Sequence, residues 1–414
     1  MMEFGYILIY SIALFGIYSS VLFLLVFFDS KNLDRLSTTA PKKLPFVSVI
    51  IPAYNSERGV VRTLQHTLKT DYPKDKLEII VVDDGSTDNT SAAASKFKKF
   101  GVKVFTIPHN GKASALNYGI SKAKGEIVCN LDSDSFLDSD ALMKMIGFFD
   151  NPVTMGVTPS VKIHDPKTIA QKVQMMEFLS SAMIRKVYSY LGSLPVASGA
   201  CTLFRRKFFL EHGGYREDLL TEDGEVSMRL DSKGYSIECA MNVAVYTDGV
   251  PTFRRFFNQR LRWFRGLFDC LQIHHGLFNP RKGNIAVMIL PLMMTSIALL
   301  VISGLYSLYK VSDFLWKQAV HLYLTGFDIR NMLDFKFDIF NVNLGATTML
   351  LIIVFLSSIL LLQFSRNYSR EKQSIFTPYI YFLVTYGAFA FFCWFMAIYY
   401  KLAGRKIRWG DRYL

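Results

Sequence analysis

Residues 77–90 read LEIIVVDDGSTDNT. Leu77 to Val82 is an apolar, β-branched run of strand length. It stops abruptly at Asp83, Asp84 and Gly85, followed by short polar residues. That pattern is a buried strand running into a turn that offers backbone N–H groups. The same pattern recurs on both sides. Upstream, Phe46 to Pro52 (FVSVIIP) predicts a strand, and Asn55 to Thr70 a helix with Val60, Val61, Leu64 and Leu68 on one side. Downstream come a strand over Val102 to Ile107, a helix over Lys112 to Lys124, and a strand over Glu126 to Leu131 (EIVCNL). This last strand ends in Asp132, Ser133 and Asp134. Apolar strands alternating with helices predict a mostly parallel sheet covered on both faces. Ligands of such sheets bind beyond the carboxyl ends of the strands. Tyr54, Asp83, Asp84, Asp132 and Asp134 all fall there.

The chain has 414 residues, with 47 Lys plus Arg against 34 Asp plus Glu, a net charge of +13. Phe4 to Phe28, Ile285 to Tyr309, Gly345 to Phe364 and Ile375 to Tyr400 contain no charged residue. Each is close to or above the roughly 20 residues that cross about 30 Å of hydrocarbon as a helix. An ordinary soluble protein and a disordered chain are both excluded. The first segment reads as an anchor rather than a secretory signal. Its apolar run exceeds the roughly 7–15 residues of a signal core, no basic region precedes it, and no small-residue cleavage site follows. The connector from Asp29 to Pro45 is basic, which favours the cytoplasmic side.

Between Thr252 and Gly283 aromatic residues interleave with Arg254, Arg255, Arg260, Arg262 and Arg265. Next to a membrane segment this reads as a helix in the interface rather than a nucleic-acid surface. The expected organisation is a first transmembrane helix at 1–30, a basic linker at 31–45 and an α/β domain at 46–250. Interface helices follow at 251–284, about three transmembrane helices at 285–400, and a basic tail at 401–414. The tail and the connector from Ser365 to Ser374 are both basic, so both prefer the inside. The expectation is that the last apolar segment crosses even so; the alternative is that one of the C-terminal segments is re-entrant or lies in the interface, which restores an inside tail.

Five scattered cysteines and seven histidines make no disulfide framework and no zinc pattern. His274 and His275 read as interfacial side chains. Asp132 and Asp134, one residue apart at a strand end, suit one hard divalent cation, Mg²⁺ or Mn²⁺, bridging to phosphates. In the Asp83–Thr90 turn, Asp84 suits a ligand, while Asp88 or Thr90 suits a helix cap.

Seven motifs stand in order: IPAYNSE (Ile51–Glu57), VVDDGSTDNT (Val81–Thr90), HNGKASALNYG (His109–Gly119), NLDSDS (Asn130–Ser135), SGACTLFRR (Ser198–Arg206), TEDGEVSMRL (Thr221–Leu230) and QRLRW (Gln259–Trp263). Together they resemble the membrane-integrated family 2 glycosyltransferases with the GT-A fold, such as hyaluronan, chitin, cellulose and poly-N-acetylglucosamine synthases. The resemblance covers roughly residues 45 to 300. It implies a Rossmann-like α/β GT-A domain in the cytosol, amphipathic interface helices and a transmembrane helix bundle in the cell membrane. Carried over residue by residue, it puts Ala53, Tyr54, Glu57, Asp83, Asp84 and Lys112 at the nucleotide sugar. Asp132 and Asp134 match the DxD motif that holds metal and diphosphate. Asp223, the end of TED, matches the general base, with Glu222 beside it at the acceptor. Gln259, Arg262 and Trp263 match QxxRW, by the diphosphate and the acceptor. Ser198 and Gly199 stand on the acceptor path, where Ala200 and Cys201 depart from the usual sequence.

The implied activity is processive, inverting polymerisation of a UDP-sugar, UDP-GlcNAc first, into a β-linked polysaccharide exported across the membrane. The implied partners are the UDP-sugar, a carbohydrate acceptor and membrane lipids, with no nucleic acid. One rival is transfer of a single sugar to a membrane lipid. A rival of another class is an inactive membrane subunit; intact Asp132, Asp134, Asp223 and Arg262 speak against it.

Overall fold

The computed structural model describes residues 2–30, 41, 43–325, 345–409 and 412–413. Positions 31–40 and 42 of the expected linker, 326–344 of the expected membrane region, and 410, 411 and 414 of the tail lie outside the described residues.

The chain opens with α1 (Met2–Ser30), followed by β1 (Val47–Ala53), α2 (Glu57–Thr67), β2 (Leu77–Asp83), α3 (Thr90–Ser95), β3 (Lys103–Thr106), α4 (Lys112–Lys122) and β4 (Ile127–Leu131). Next come β5 (Ser135–Leu137), α5 (Ala141–Ile146), β6 (Thr154–His164), α6 (Ile169–Tyr190), β7 (Cys201–Arg205), α7 (Arg206–His212), α8 (Glu222–Ser232) and β8 (Ser236–Asp248). The membrane-associated part holds α9 (Phe253–Ile273), α10 (Leu290–Leu324, entered by a π-turn at Ile285–Ile289), α11 (Ala346–Tyr368) and α12 (Phe376–Leu402).

Eight strands form one sheet in the order β3-β2-β1-β4-β7-β6-β8-β5. The first four are parallel, as the strand–helix alternation predicts. The rest of the sheet is mixed: β7 runs antiparallel to both β4 and β6, and β5 antiparallel to β8. The reversal matters for the site. Leu131, the end of β4, pairs with Cys201, the start of β7, so Ser198–Ala200 enters beside Asp132. Period-2 alternation sorts β1 between two cores. Val49 and Ile51 pack with Val60, Leu64 and Leu142 on one face, and Ile50 packs with Leu116, Ile120 and Phe204 on the other.

Four helices are long and apolar enough to cross a membrane: Glu3–Ser30, Ile285–Leu324, Ala346–Tyr368 and Phe376–Leu402. The second is 40 residues long, roughly 60 Å at about 1.5 Å per residue. Its charge-free part ends at Tyr309. Lys310, Asp313 and Lys317 follow, with Lys317 and Asp313 paired at 2.8 Å.

The last apolar helix has the length and composition expected of a crossing segment, and contacts hold both of its flanks. Just before α12, Gln373 Nε2 donates to the Ile163 carbonyl of β6, and Glu371 lies 3.7 Å from Lys162. At its other end, Lys401 pairs with Asp269 of α9 at 2.6 Å, and Ile407 packs with Leu220 and Leu261. In between, Phe389 stacks on Phe256 and Trp394 on Phe264, so α12 runs alongside α9 in the same direction. A helix that crosses puts its two ends on opposite faces of the bilayer. Here one flank is held by β6 and the other by α9 and Leu220.

Candidate active site

The turn after β4 is held from three directions. Asp132 N–H donates to the Ala200 carbonyl (3.0 Å), and Ser135 N–H closes the turn on the Asp132 carbonyl (3.0 Å). From α2, Thr63 Oγ1 donates to the Ser133 and Ser135 carbonyls at 2.9 and 2.7 Å. Ser133 Oγ also donates to Ser56 Oγ of the IPAYNSE segment at 2.9 Å, so that segment too braces the acidic turn.

Lys112, the first residue of α4, joins four motifs. Its Nζ lies 2.5 Å from Asp132 Oδ1 and 3.5 Å from Glu222 Oε1. It donates to the Gly199 carbonyl at 3.2 Å. Burial works against its charge, but Asp132, Glu222 and Asp223 outweigh burial and hold its pKa well above the usual lysine value. Asp223 sits in the first turn of α8 and accepts from the Gly224 N–H at 2.8 Å. Burial pushes its pKa up to about 6, the charge of Glu222 adds to the rise, and Lys112, the Gly224 N–H and Arg262 oppose it. A Cβ on Gly199 would stand 2.4 Å from Asp223 Oδ2, so the absence of a side chain at 199 is what lets Asp223 reach this position. Arg262 comes in from α9, its NH1 donating to the Leu220 carbonyl at 3.0 Å. Burial lowers its pKa, while Glu222, Asp223 and Asp132 favour its charge.

Asp134 lies open to the same side. Crowding by protein pushes its pKa up to about 6, and the charge of Asp132 adds to that. The push of Asp132 on Asp134 marks negative charge gathered at this turn. That donor set, oxygen only, fits a hard divalent cation. Among the described residues no group of three or more His, Cys, Asp or Glu could hold a metal ion. Its other ligands would therefore come from a bound phosphate or water.

Further along the sheet edge, Ala53 and Asp83 are buried at the carboxyl ends of β1 and β2. Tyr54 stacks on His109 with ring centroids 4.2 Å apart. Asp83 Oδ1 accepts from the Ser86 N–H (3.2 Å). Asp84 is heavily used: its two oxygens accept the Asn110 and Gly111 N–H groups at 2.8 Å, and His109 Nδ1 lies 2.9 Å from Oδ2. It clamps the loop that sets His109 under Tyr54 and starts α4 at Lys112. Glu57 is exposed at the start of α2, where its N–H meets Asp88 at 3.4 Å.

The QRLRW segment divides between two sides of α9. Arg262 faces the TED turn. Gln259 faces α6, where its Oε1 accepts from Gln174 (2.9 Å) and Arg260 (2.8 Å). Arg260 is 1% exposed and forms a forked ion pair with Glu177 of α6, its Nε reaching both carboxylate oxygens at 2.8 and 2.9 Å. Tyr386 of α12 donates to the same carboxylate at 2.9 Å. The Arg260 guanidinium also stands 3.9 Å from the Trp263 ring centre, covering one face of the indole. Sequence reasoning missed Glu177, Arg260 and Tyr386. The first is one charge among many on an amphipathic helix, and nothing local marks it as a partner 83 residues from Arg260.

His274 corrects an expectation. Instead of facing the interface, it binds Glu225 of α8 at 3.0 Å, and Glu225 also pairs with Arg229 at 3.2 Å. The helix that carries Asp223 is thereby tied to the end of α9. Ser198 is buried, with its N–H on Thr158 Oγ1 (3.1 Å) and its hydroxyl accepting from the Ala200 N–H (3.3 Å).

Comparison with known proteins bears on the family and the fold. Residues 48–213 match the family model described as glycosyl transferase family 2. A poly-beta-1,6-N-acetyl-D-glucosamine synthase of Staphylococcus epidermidis is 31% identical over 274 residues, covering 65% of this chain and 66% of that protein. The synthase of the same name from Staphylococcus aureus strain COL is 29% identical over 277 residues, covering 66% and 67%. The matched region thus spans about two thirds of these relatives' length, just under it for the first. Among solved structures, a mannosyltransferase of Pyrobaculum calidifontis in complex with GDP-Man and Mn²⁺ has a TM-score of 0.51 at 21% identity, covering 85% of this chain and 98% of that one. At that identity the likeness shows the fold.

Proposed function

The chain carries a family 2 glycosyltransferase domain, and from that premise we propose that it is a processive, inverting transferase adding N-acetylglucosamine from UDP-GlcNAc to a growing β-linked polysaccharide. The relatives that share its catalytic region are named poly-beta-1,6-N-acetyl-D-glucosamine synthases, which supports both sugar and polymer. The observation that carries the chemistry is the meeting of Lys112, Asp132, Gly199, Glu222 and Asp223 around one point.

Asp223 is the general base. With a pKa near 6 it is ionised at neutral pH and still basic enough to take a proton. It accepts the acceptor hydroxyl's proton as that oxygen attacks the anomeric carbon from the face opposite the diphosphate. The C–O bond to UDP breaks, its electron pair leaves on the diphosphate, and the anomeric centre inverts. Arg262 and Lys112 meet the departing charge. A divalent cation, Mn²⁺ or Mg²⁺, held by Asp132 and Asp134 would supply further positive charge to the diphosphate. Ala53, Tyr54, Glu57 and Asp83 bind the nucleoside. Asp84 and Gln259 act as positioning residues, the first through the His109–Lys112 loop and the second through Arg260. Ser198, Gly199, Glu222 and Trp263 line the acceptor. The domain works on the cytoplasmic side of the cell membrane, among membrane lipids, and the helix bundle exports the product.

The deciding experiment incubates membranes holding the full chain with radiolabelled UDP-GlcNAc, UDP-Glc, UDP-GlcA and UDP-Gal, and sizes the products. A long product from UDP-GlcNAc that disappears with excess EDTA and returns with Mn²⁺ or Mg²⁺ is expected. A single sugar on an extractable lipid would replace this reading with lipid glycosylation. Full activity in EDTA would remove the metal.

A further inference from the structure

Away from Asp132 and Asp223 the domain contains a cavity of about 570 Å³. Its wall includes Tyr190 and Ser193 at the end of α6, Asp231 near the end of α8, Tyr235, and Lys282 and Ile285 at the foot of α10. That volume is in the range of small-ligand sites. Its position is set by two membrane landmarks. Ile285 opens the long apolar helix. The Tyr190 ring lies 6.3 Å from Phe27, near the domain end of α1. The cavity therefore sits at the membrane boundary, on the domain's side.

The charged groups around it differ in how they are satisfied. Lys186, buried, donates to the Cys239 carbonyl at 2.9 Å and stands 4.4 Å from the Tyr190 ring centre. Glu238 accepts from Ser189 at 2.8 Å. Lys282 is exposed and donates to the Ser232 carbonyl at 2.8 Å. Asp231 is the exception. It is 8% exposed, and neither of its oxygens closes a hydrogen bond. Ser193 Oγ, beside it, also ends without a partner. Burial pushes the Asp231 pKa up to about 7; Ser193 and the Leu194 N–H lie near enough to oppose the rise without satisfying the carboxylate. A buried carboxyl without a partner lowers stability, and an apolar residue would avoid that loss. The catalytic arrangement does not use Asp231, which lies eight residues past Asp223 on the same helix.

Whatever satisfies Asp231 enters through the cavity and must bring a donor. An ammonium brings both a donor and the opposite charge, and the Tyr235 ring in the wall suits a cation, the Tyr190 ring being taken by Lys186. Lys282 offers a positive charge for an anion on the same molecule. At a membrane boundary, a primary amine a short linker away from a phosphate is the headgroup of an ethanolamine phospholipid. We propose that this cavity binds the phosphoethanolamine headgroup of a membrane lipid, with Asp231 holding the ammonium and Lys282 the phosphate.

The test reconstitutes the full chain in nanodiscs with equal parts of phosphatidylethanolamine, phosphatidylcholine and phosphatidylglycerol, and counts retained lipids by native mass spectrometry. Ethanolamine lipid should be retained over choline lipid by about fivefold or more, the factor matching the lower end, about 1 kcal/mol, of what satisfying one buried polar group is worth. Asp231→Asn should abolish that preference, and Lys282→Ala should weaken retention while keeping amine above choline. If Asp231→Asn fails to fold, as judged by its melt, Ser193→Phe, which fills the cavity mouth, carries the same expectation. Equal retention of the three lipids by the wild type, or an unchanged preference in Asp231→Asn, overturns the proposal. Thermal stabilisation by soluble O-phosphoethanolamine without any lipid preference overturns the lipid assignment. The readout is binding, so failure here is separable from failure of the proposed transferase activity.

Discussion

Gly199→Ala tests the site with a single methyl group. The new Cβ would stand 2.4 Å from Asp223 Oδ2. Ordinary contact begins near 3.4 Å, so the carboxylate must retreat by roughly 1 Å, a displacement that can cost about 10²-fold when it moves a catalytic group. The atom that gives way is the far end of a side chain rather than backbone, so the cost in stability is small. We expect turnover to fall about 10²-fold, with UDP affinity and melting temperature nearly unchanged. Asp223→Asn removes the base and should cost about 10²–10⁴-fold. Because the methyl acts through Asp223, the double variant should be no worse than Asp223→Asn alone. UDP release measured against calorimetric UDP binding reads all three. Turnover of Gly199→Ala within about twofold of wild type, or losses that multiply in the double variant, would refute the contact as the basis of catalysis.

The remaining predictions address charge and topology. Lys112→Ala removes a cation that lowers the Asp223 pKa; the rising limb of activity with pH, set near 6 in the wild type, should move alkaline, and an unmoved limb in the residual activity would reject the coupling. Glu177→Gln leaves Arg260 buried and uncompensated, a loss of about 3–5 kcal/mol by the usual cost of breaking such a pair, whereas replacing both partners with methionine should recover most of it; melting temperatures decide. In a background without the five native cysteines, Leu402→Cys should react with an impermeant thiol reagent from the same side as Lys99→Cys and the opposite side from Trp316→Cys. Labelling of Leu402→Cys together with Trp316→Cys would restore a full crossing by α12.

Much of the protein was legible because it is written locally. Strands β1, β2 and β4 end within one residue of where the apolar runs end, since a buried parallel strand needs an unbroken apolar stretch and its ligand-facing end needs turn residues. The site motifs sit at those ends for the same reason. Asp132, Asp134, Gly199, Asp223 and Arg262 could all be named from sequence, but their mutual distances could not. Nothing local says that Lys112 meets Asp132 or that Gly199 is bare for the sake of Asp223. The antiparallel entry of β7 was also invisible, because a short apolar strand reads the same in either direction.

The sequence by itself determined the four long apolar segments and the alternating strands and helices of an α/β domain: charge-free segments of this length favour hydrocarbon, and buried parallel strands need unbroken apolar runs. Tertiary structure alone decides where buried charges go. Glu177 and Arg260 look like surface residues of amphipathic helices until α6, α9 and α12 are packed, and Asp231 looks like one more acid on a helix until a cavity is seen beside it. The last apolar helix makes the same point. An apolar helix has the same composition whether it crosses the bilayer or lies along its edge, and only the packing shows which elements hold its two flanks, at Ile163 and at Asp269.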